Sequence, residues 1–203
     1  MIFYATKETM QRYKLKTPEQ LQSEAAPLVR MMAQKERGNH LYEWGCKLLY
    51  FDGRKCLQVM HFETKLVVFL MDLKQKDLEF AGDAVANYLM DMYAEDKEMI
   101  HALEQYCASS PIMYFDKITD KSIIASMNHV QMSWAMDGYR FWDFIWDGIL
   151  HTRIANREVN DMPCTKTVNG QKEWIIPYER FAQVMKGVLG QPAPVVEDKK
   201  RYH

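Results

Sequence analysis

The sequence predicts an α+β fold: a mainly antiparallel sheet of about five strands, helices packed mainly on one face, and a C-terminal hairpin and helix. Three observations carry this reading. The runs Lys47-Leu48-Leu49-Tyr50-Phe51 and Arg54-Lys55-Cys56-Leu57-Gln58-Val59-Met60 flank Asp52-Gly53, and Asp-Gly between two such runs signals a tight hairpin. A third run, Leu66 to Met71, is apolar throughout and suits a strand buried on both faces. From Leu73 to Tyr106 the apolar period then changes to that of helices.

The remaining elements follow in chain order. Met1 to Thr6 reads as a first strand, and Thr6 caps a short helix from Lys7 to Tyr13. Thr17-Pro18-Glu19-Gln20 starts a helix expected to run to Gln34, because Thr caps, Pro fits the first turn and the acid favours it. Gly38-Asn39 ends that helix, and the hairpin and third strand form the sheet centre. Leu78, Ala81, Val85 and Leu89 share one helical face, and a further helix spans Asp96 to Cys107. Ile112 to Phe115 is a strand, and Asp120 or Ser122 opens the next helix. Asp137-Gly138 and Asp147-Gly148 interrupt the pattern and mark kinks or boundaries. Asn169-Gly170 signals a second hairpin, followed by a helix from Tyr178 to Leu189. Residues 1–190 are expected to form one domain and 191–203 a tail.

Composition limits the functional classes. The 203 residues carry 26 Lys and Arg against 27 Asp and Glu, a net charge of −1. A nucleic-acid partner is therefore not signalled by the total charge, although a local basic patch is compatible with one. The first residues lack a secretory pattern and no apolar run is long enough to cross a bilayer, so no membrane partner is expected. Cys46, Cys56, Cys107 and Cys164 are scattered without a paired spacing. They read as free thiols of a cytoplasmic protein, with no metal and no cofactor implied. Fifteen methionines suit a core filled by flexible side chains. Nucleotide-binding loops, zinc-protease motifs and nucleophile elbows are absent.

The chemistry-bearing residues concentrate between Ser126 and Asn160. Arg153, Asn156, Arg157 and Asn160 have spacings that place all four on one helix face, where two Arg and two Asn suit phosphates, carboxylates or base edges. Their plain structural account is a solvated helix face. Ser126, Asn128 and His129 form a second polar group at the start of a helix, and local capping is the competing account. Trp142 stands among Tyr139, Phe141, Phe144 and Trp146, which on one helix would cover nearly the whole circumference, so some are core and some suit an interface. Arg54 and Lys55, just past the hairpin tip, either bind an anion or charge a sheet edge against aggregation.

Several motifs together resemble an uncharacterised bacterial protein family of unknown function, whose small α+β members occur in many genomes and on some mobile elements. The motifs are the opening strand, the Trp44 to Met71 meander with Arg54-Lys55-Cys56, the stretch Asp120 to Asn128, and Asn156-Arg157 with Met162-Pro163. The resemblance covers about residues 1–163 and implies no catalytic residue. It marks Arg54, Lys55, Ser126, Asn128, Asn156 and Arg157 as matching positions.

The leading expectation is a non-enzymatic macromolecule-binding module, its partner a protein or a second copy of the chain, with a phage or mobile-element role compatible. The alternative is an enzyme or ligand-binder acting on a phosphorylated or nucleic-acid substrate. There Arg54, Arg153 and Arg157 bind anions, and Asn128 and His129 supply polarity or proton transfer. The alternative requires Asn128, His129 and Arg157 to converge in one pocket.

Overall fold

The computed structural model describes residues 1–168 and 171–189. Asn169-Gly170 and the expected tail lie outside the described residues.

Five strands form the main sheet: β1 (Ile2–Ala5), β2 (Glu43–Phe51), β3 (Arg54–His61), β4 (Val67–Leu70) and β5 (Tyr114–Lys117), in the order β4-β3-β2-β1-β5. The α+β class and strand number agree with the sequence. The antiparallel meander β2-β3-β4 is also as expected, with Asp52 and Gly53 at φ 47° and 78° in the turn. The other half of the sheet differs, because β1 runs parallel to both β2 and β5. Residues 6–42 contain helices, and a helical crossover returns the chain parallel to the strand it left. The sheet is therefore mixed rather than mainly antiparallel.

Helices α1 (Lys7–Tyr13), α3 (Ala81–Met92), α4 (Lys97–Ser109) and α7 (Pro177–Leu189) cover one face. There Phe3, Trp44, Leu57, Val59 and Val68 meet Val85, Leu89, Leu103, Tyr106 and Phe181 in the larger core. On the other face α5 (Lys121–Met136) packs Ile123, Met127 and Trp134 against Met60, Val67 and Phe69. Beside it α2 (Ala26–Glu36) sets Val29 and Ala33 against Ile2 and Tyr114. Gly45 is where α5 comes closest, since a Cβ there would collide with the Ile123 and Met127 side chains.

Several boundaries depart from the sequence reading. The helix expected from Thr17 to Gln34 is a 3-10 turn, Pro18–Gln20, followed by the separate α2. Pro27 cannot donate a backbone hydrogen bond, so it stands in the first turn of a new helix rather than inside an old one. Asp120, not Ser122, caps α5, accepting from the Ser122 and Ile123 amides at 2.7 and 3.1 Å. The aromatic segment is not one helix. It is a 3-10 turn, Phe141–Phe144, then a small ribbon of β6 (Ile145–Trp146) and β7 (Ile149–Leu150). Asp147 and Gly148, at φ 52° and 71°, make the same kind of turn as Asp52-Gly53. A second ribbon pairs β8 (Cys164–Val168) with β9 (Gln171–Ile175).

The remaining helix, α6 (Thr152–Asp161), lies along the outer edge of β4. Its Asn156 accepts from the Phe69 amide at 2.6 Å and donates to the Phe69 carbonyl at 3.4 Å. Asn160 treats Val67 likewise, at 2.7 and 2.6 Å. Four residues of helix rise about 6 Å and two residues of strand about 6.6 Å, so consecutive outward-facing peptide groups of β4 meet amides spaced i,i+4. The two asparagines stand in for a sixth strand.

Candidate functional site

Helix α5 divides the residues singled out by sequence among separate concavities. One, of 740 Å³, is a groove between the β2–β3 hairpin and the C-terminal half of α5. Lys47, Tyr50, Asp52, Gln131, Trp134, Tyr139 and Arg140 line it. It follows from alternation on β2: Trp44, Cys46 and Leu48 enter the larger core, which leaves Lys47 and Leu49 toward α5.

A chain of hydrogen bonds fixes the groove floor. Lys47 Nζ donates to Asn128 Oδ1 and, at 2.9 Å, to Gln131 Oε1. Gln131 Nε2 donates to Gln58 Oε1 at 2.9 Å, and the fully buried Gln58 donates to the Met127 carbonyl at 3.2 Å. At the hairpin tip Asp52 accepts from Arg140 Nε at 2.7 Å and from the Phe141 amide at 2.6 Å. Arg54 lies 3.6 Å from Asp72 and 5.6 Å from the centre of the Trp142 ring. Tyr50 and Trp142 are each about half exposed, at 55 % and 52 %. Trp134 is buried against Phe69 and Phe144, and its indole N–H has no partner among the described residues. Burial pushes the Cys56 thiol in the groove wall up to about 11, so it stays protonated at neutral pH.

The sequence candidates fall as follows. Arg54 and Trp142 meet at the hairpin tip, and Asn128 anchors Lys47. Lys55 is partly buried, and its carbonyl accepts from the Leu73 amide at 3.0 Å. Ser126 donates back to the Ser122 carbonyl at 3.0 Å, as a serine within a helix often does. Ser126 and His129 line a second cavity, of 250 Å³, with Lys65, Val159, Met162 and Pro163. Arg153 and Arg157 line a third concavity, with Tyr93 and Tyr178. Arg153 lies 3.6 Å from Asp91, while Arg157 pairs with Asp161 at 2.8 Å and sits 3.4 Å from the centre of the Tyr178 ring.

The helix face expected to present Arg153, Asn156, Arg157 and Asn160 together is thus divided. Asn156 and Asn160 are completely buried with their amides committed to β4, so they are not available to a ligand. Only the arginines reach solvent. His129 meets the C-terminal end of α6 but not its arginines, and Asn128 opens on the hairpin side; the three do not converge.

Sequence reasoning missed Lys47, Gln58 and Lys65. Gln58 carried a usable signal, being the one uncharged polar residue in an otherwise apolar stretch from Cys56 to Met60. Among the described residues no group of three or more His, Cys, Asp or Glu could hold a metal ion. None of the described helices is long and apolar enough to cross a membrane. All four cysteines are free.

A family model described as a domain of unknown function (DUF6933) matches residues 2–180. No curated protein and no solved structure matches the chain.

Proposed function

The chain belongs to the DUF6933 family, whose function is unknown, and we propose that it is a non-enzymatic protein-interaction module that engages its partner through the hairpin-side groove. The observation that carries this is the composition of the groove and its rim. Exposed Tyr50 and Arg140 line a 740 Å³ concavity with a fixed polar floor, and at the hairpin tip next to it exposed Trp142 packs with Arg54. Tyr, Trp and Arg are the residues on which protein interfaces concentrate their binding energy. The Asp52–Arg140 pair and the Lys47–Gln131–Gln58 chain hold the surface in shape before a partner arrives, which lowers the cost of binding. The groove's thiol is protonated, and no histidine lines it. The unpaired thiols suit a cytoplasmic setting.

The test is affinity capture from cytoplasmic extract with wild type, a Tyr50→Ala/Trp142→Ala double variant, and Arg157→Ala. The double variant should lose its partner roughly tenfold or more, equivalent to ~1.4 kcal/mol, and Arg157→Ala should retain it. Because Tyr50 and Trp142 are half exposed, the double variant should stay within about 1 kcal/mol of wild-type stability. Equal recovery by wild type and the double variant rejects this surface. Loss of recovery on nuclease treatment assigns the partner to nucleic acid instead.

A further inference from the structure

We infer that the partner of the hairpin-side groove docks an acidic segment there, with an aspartate or glutamate carboxylate of that segment pairing with Lys47 and a neighbouring apolar or aromatic side chain lying against Tyr50 and Tyr139. This rests on the reading of the groove as a protein-binding surface and adds the chemistry of what binds.

The charges of the groove point to a carboxylate. Glu8, Lys47, Asp52 and Arg140 line it. Asp52 and Arg140 neutralise each other at 2.7 Å, and the second Asp52 oxygen accepts from the Phe141 amide. At the rim Arg54 faces Asp72 at 3.6 Å. Lys47 is different. Its ammonium donates to two neutral amides, Asn128 Oδ1 and Gln131 Oε1, and no carboxylate among the described residues is in ion-pair contact with it. Burial holds the ammonium below the usual lysine range, and Glu8 only partly opposes this.

The same amides hold Lys47 in place. Gln131 is tied to the buried Gln58, and Gln58 to the Met127 carbonyl. A surface lysine gains little from an ion pair because a long side chain must first be ordered. Here that ordering is already done, so a counter-ion supplied by a partner contributes more. The rest of the lining selects the occupant. Tyr50, Phe51, Phe69, Met71 and Tyr139 offer apolar area beside the single cation, which suits a polypeptide carrying one acid next to an apolar residue. Nucleic acid presents a charge at every phosphate, and the other cations here are already engaged by Asp52 and Asp72.

The experiment has two readouts. In the first, the acetylated and amidated tripeptide Phe-Glu-Phe and its Phe-Gln-Phe and Phe-Lys-Phe counterparts are titrated calorimetrically into wild type, Lys47→Gln, Asn128→Asp and Glu8→Gln. Asn128 is exposed on α5, so aspartate there leaves the packing alone and gives Lys47 a counter-ion within the chain. Wild type should bind the Glu peptide roughly tenfold or more tighter than the Gln peptide, and the Lys peptide should not bind. Lys47→Gln and Asn128→Asp should lose that preference, and Asn128→Asp should melt no lower than wild type. Glu8→Gln removes the one lining carboxylate without an ion pair among the described residues and should tighten the Glu peptide. In the second readout, Lys47→Gln and Asn128→Asp replace wild type in the affinity capture described above, and each should recover roughly tenfold less of the partner. The inference is overturned if wild type shows no preference for the Glu peptide, if Asn128→Asp keeps the preference, or if Glu8→Gln weakens binding. It is also overturned, with the protein-interaction reading left standing, if Tyr50→Ala/Trp142→Ala loses the partner while Lys47→Gln and Asn128→Asp keep it. Full recovery by the Tyr50→Ala/Trp142→Ala variant removes that reading itself, and the inference with it.

Discussion

His61 is completely buried between Trp44 and Phe181, with ring centres 4.7 and 5.2 Å away. Its Nε2 lies 3.0 Å from the Leu41 carbonyl, which can only accept, so Nε2 carries the proton and Nδ1 accepts from the Thr64 hydroxyl at 3.0 Å. That neutral tautomer satisfies both nitrogens, and burial lowers the imidazole pKa to about 4. The unfolded chain takes up a proton near pH 6.5 and the folded one does not until about pH 4. Stability from this residue is therefore complete above pH 6.5 and falls as pH drops toward 4. Between pH 7 and pH 5 the loss should be about 2 kcal/mol. Carboxylates held low, such as Glu63 beside Lys166, add their own loss only at lower pH. Urea denaturation at pH 7, 6 and 5 should show the slope in wild type and not in His61→Phe. An equal slope in both would assign the pH dependence to other groups. Glu36 is a second buried polar centre, accepting from Tyr114 at 2.9 Å and from Ser110 at 2.5 Å, and pairing with the Met1 amine at 3.1 Å. Glu36→Ala removes the acceptor from all three donors and should cost about 3–5 kcal/mol by the same denaturation assay.

Elements meet where side chains allow it, and Gly45 decides how near α5 lies to β2. A methyl group at this position would collide with Ile123 and Met127. Gly45→Ala should cost about 1–3 kcal/mol through overpacking. Ile123→Ala, which removes the obstructing methyl, should couple favourably to it in a double-mutant cycle. Additive losses would show that α5 shifts to make room. Nothing local in the sequence marks that glycine, and the distinction explains what was legible. The meander from Lys47 to Met71 could be read because alternation and an Asp-Gly turn are local signals. The Asp147-Gly148 turn carried the same signal, obscured by aromatics whose density suggested a helix. The parallel placement of β1 was not legible, because a strand's partner depends on where the helices between them pack. At the site, Arg54 and Trp142 could be picked out as candidates, but their meeting rests on the Asp52–Arg140 pair across the hairpin tip. The α6 spacing was read as one face presenting all four polar side chains, whereas Asn156 and Asn160 turn onto β4; the edge strand they cover is distant in the chain.

For the molecule as a whole, the decisive feature is how the sheet ends. An uncovered edge strand offers free peptide groups to any other strand, and proteins that remain monomeric block such edges. Here α6 blocks β4 with Asn156 and Asn160. If α6 stays docked in an Asn156→Ala/Asn160→Ala variant, the Val67 and Phe69 peptide groups are buried without partners, at ~1–3 kcal/mol each. If α6 swings away, the groups reach water and the edge becomes available to a second chain. Either route lowers stability, and the second produces association that increases with concentration. No residue of α6 lines the groove, but Phe69 of β4, whose amide Asn156 holds, forms part of its wall. The double variant should therefore denature at lower urea and form larger species by light scattering. A monomeric variant of unchanged stability would show that the two amides lie along β4 without protecting it.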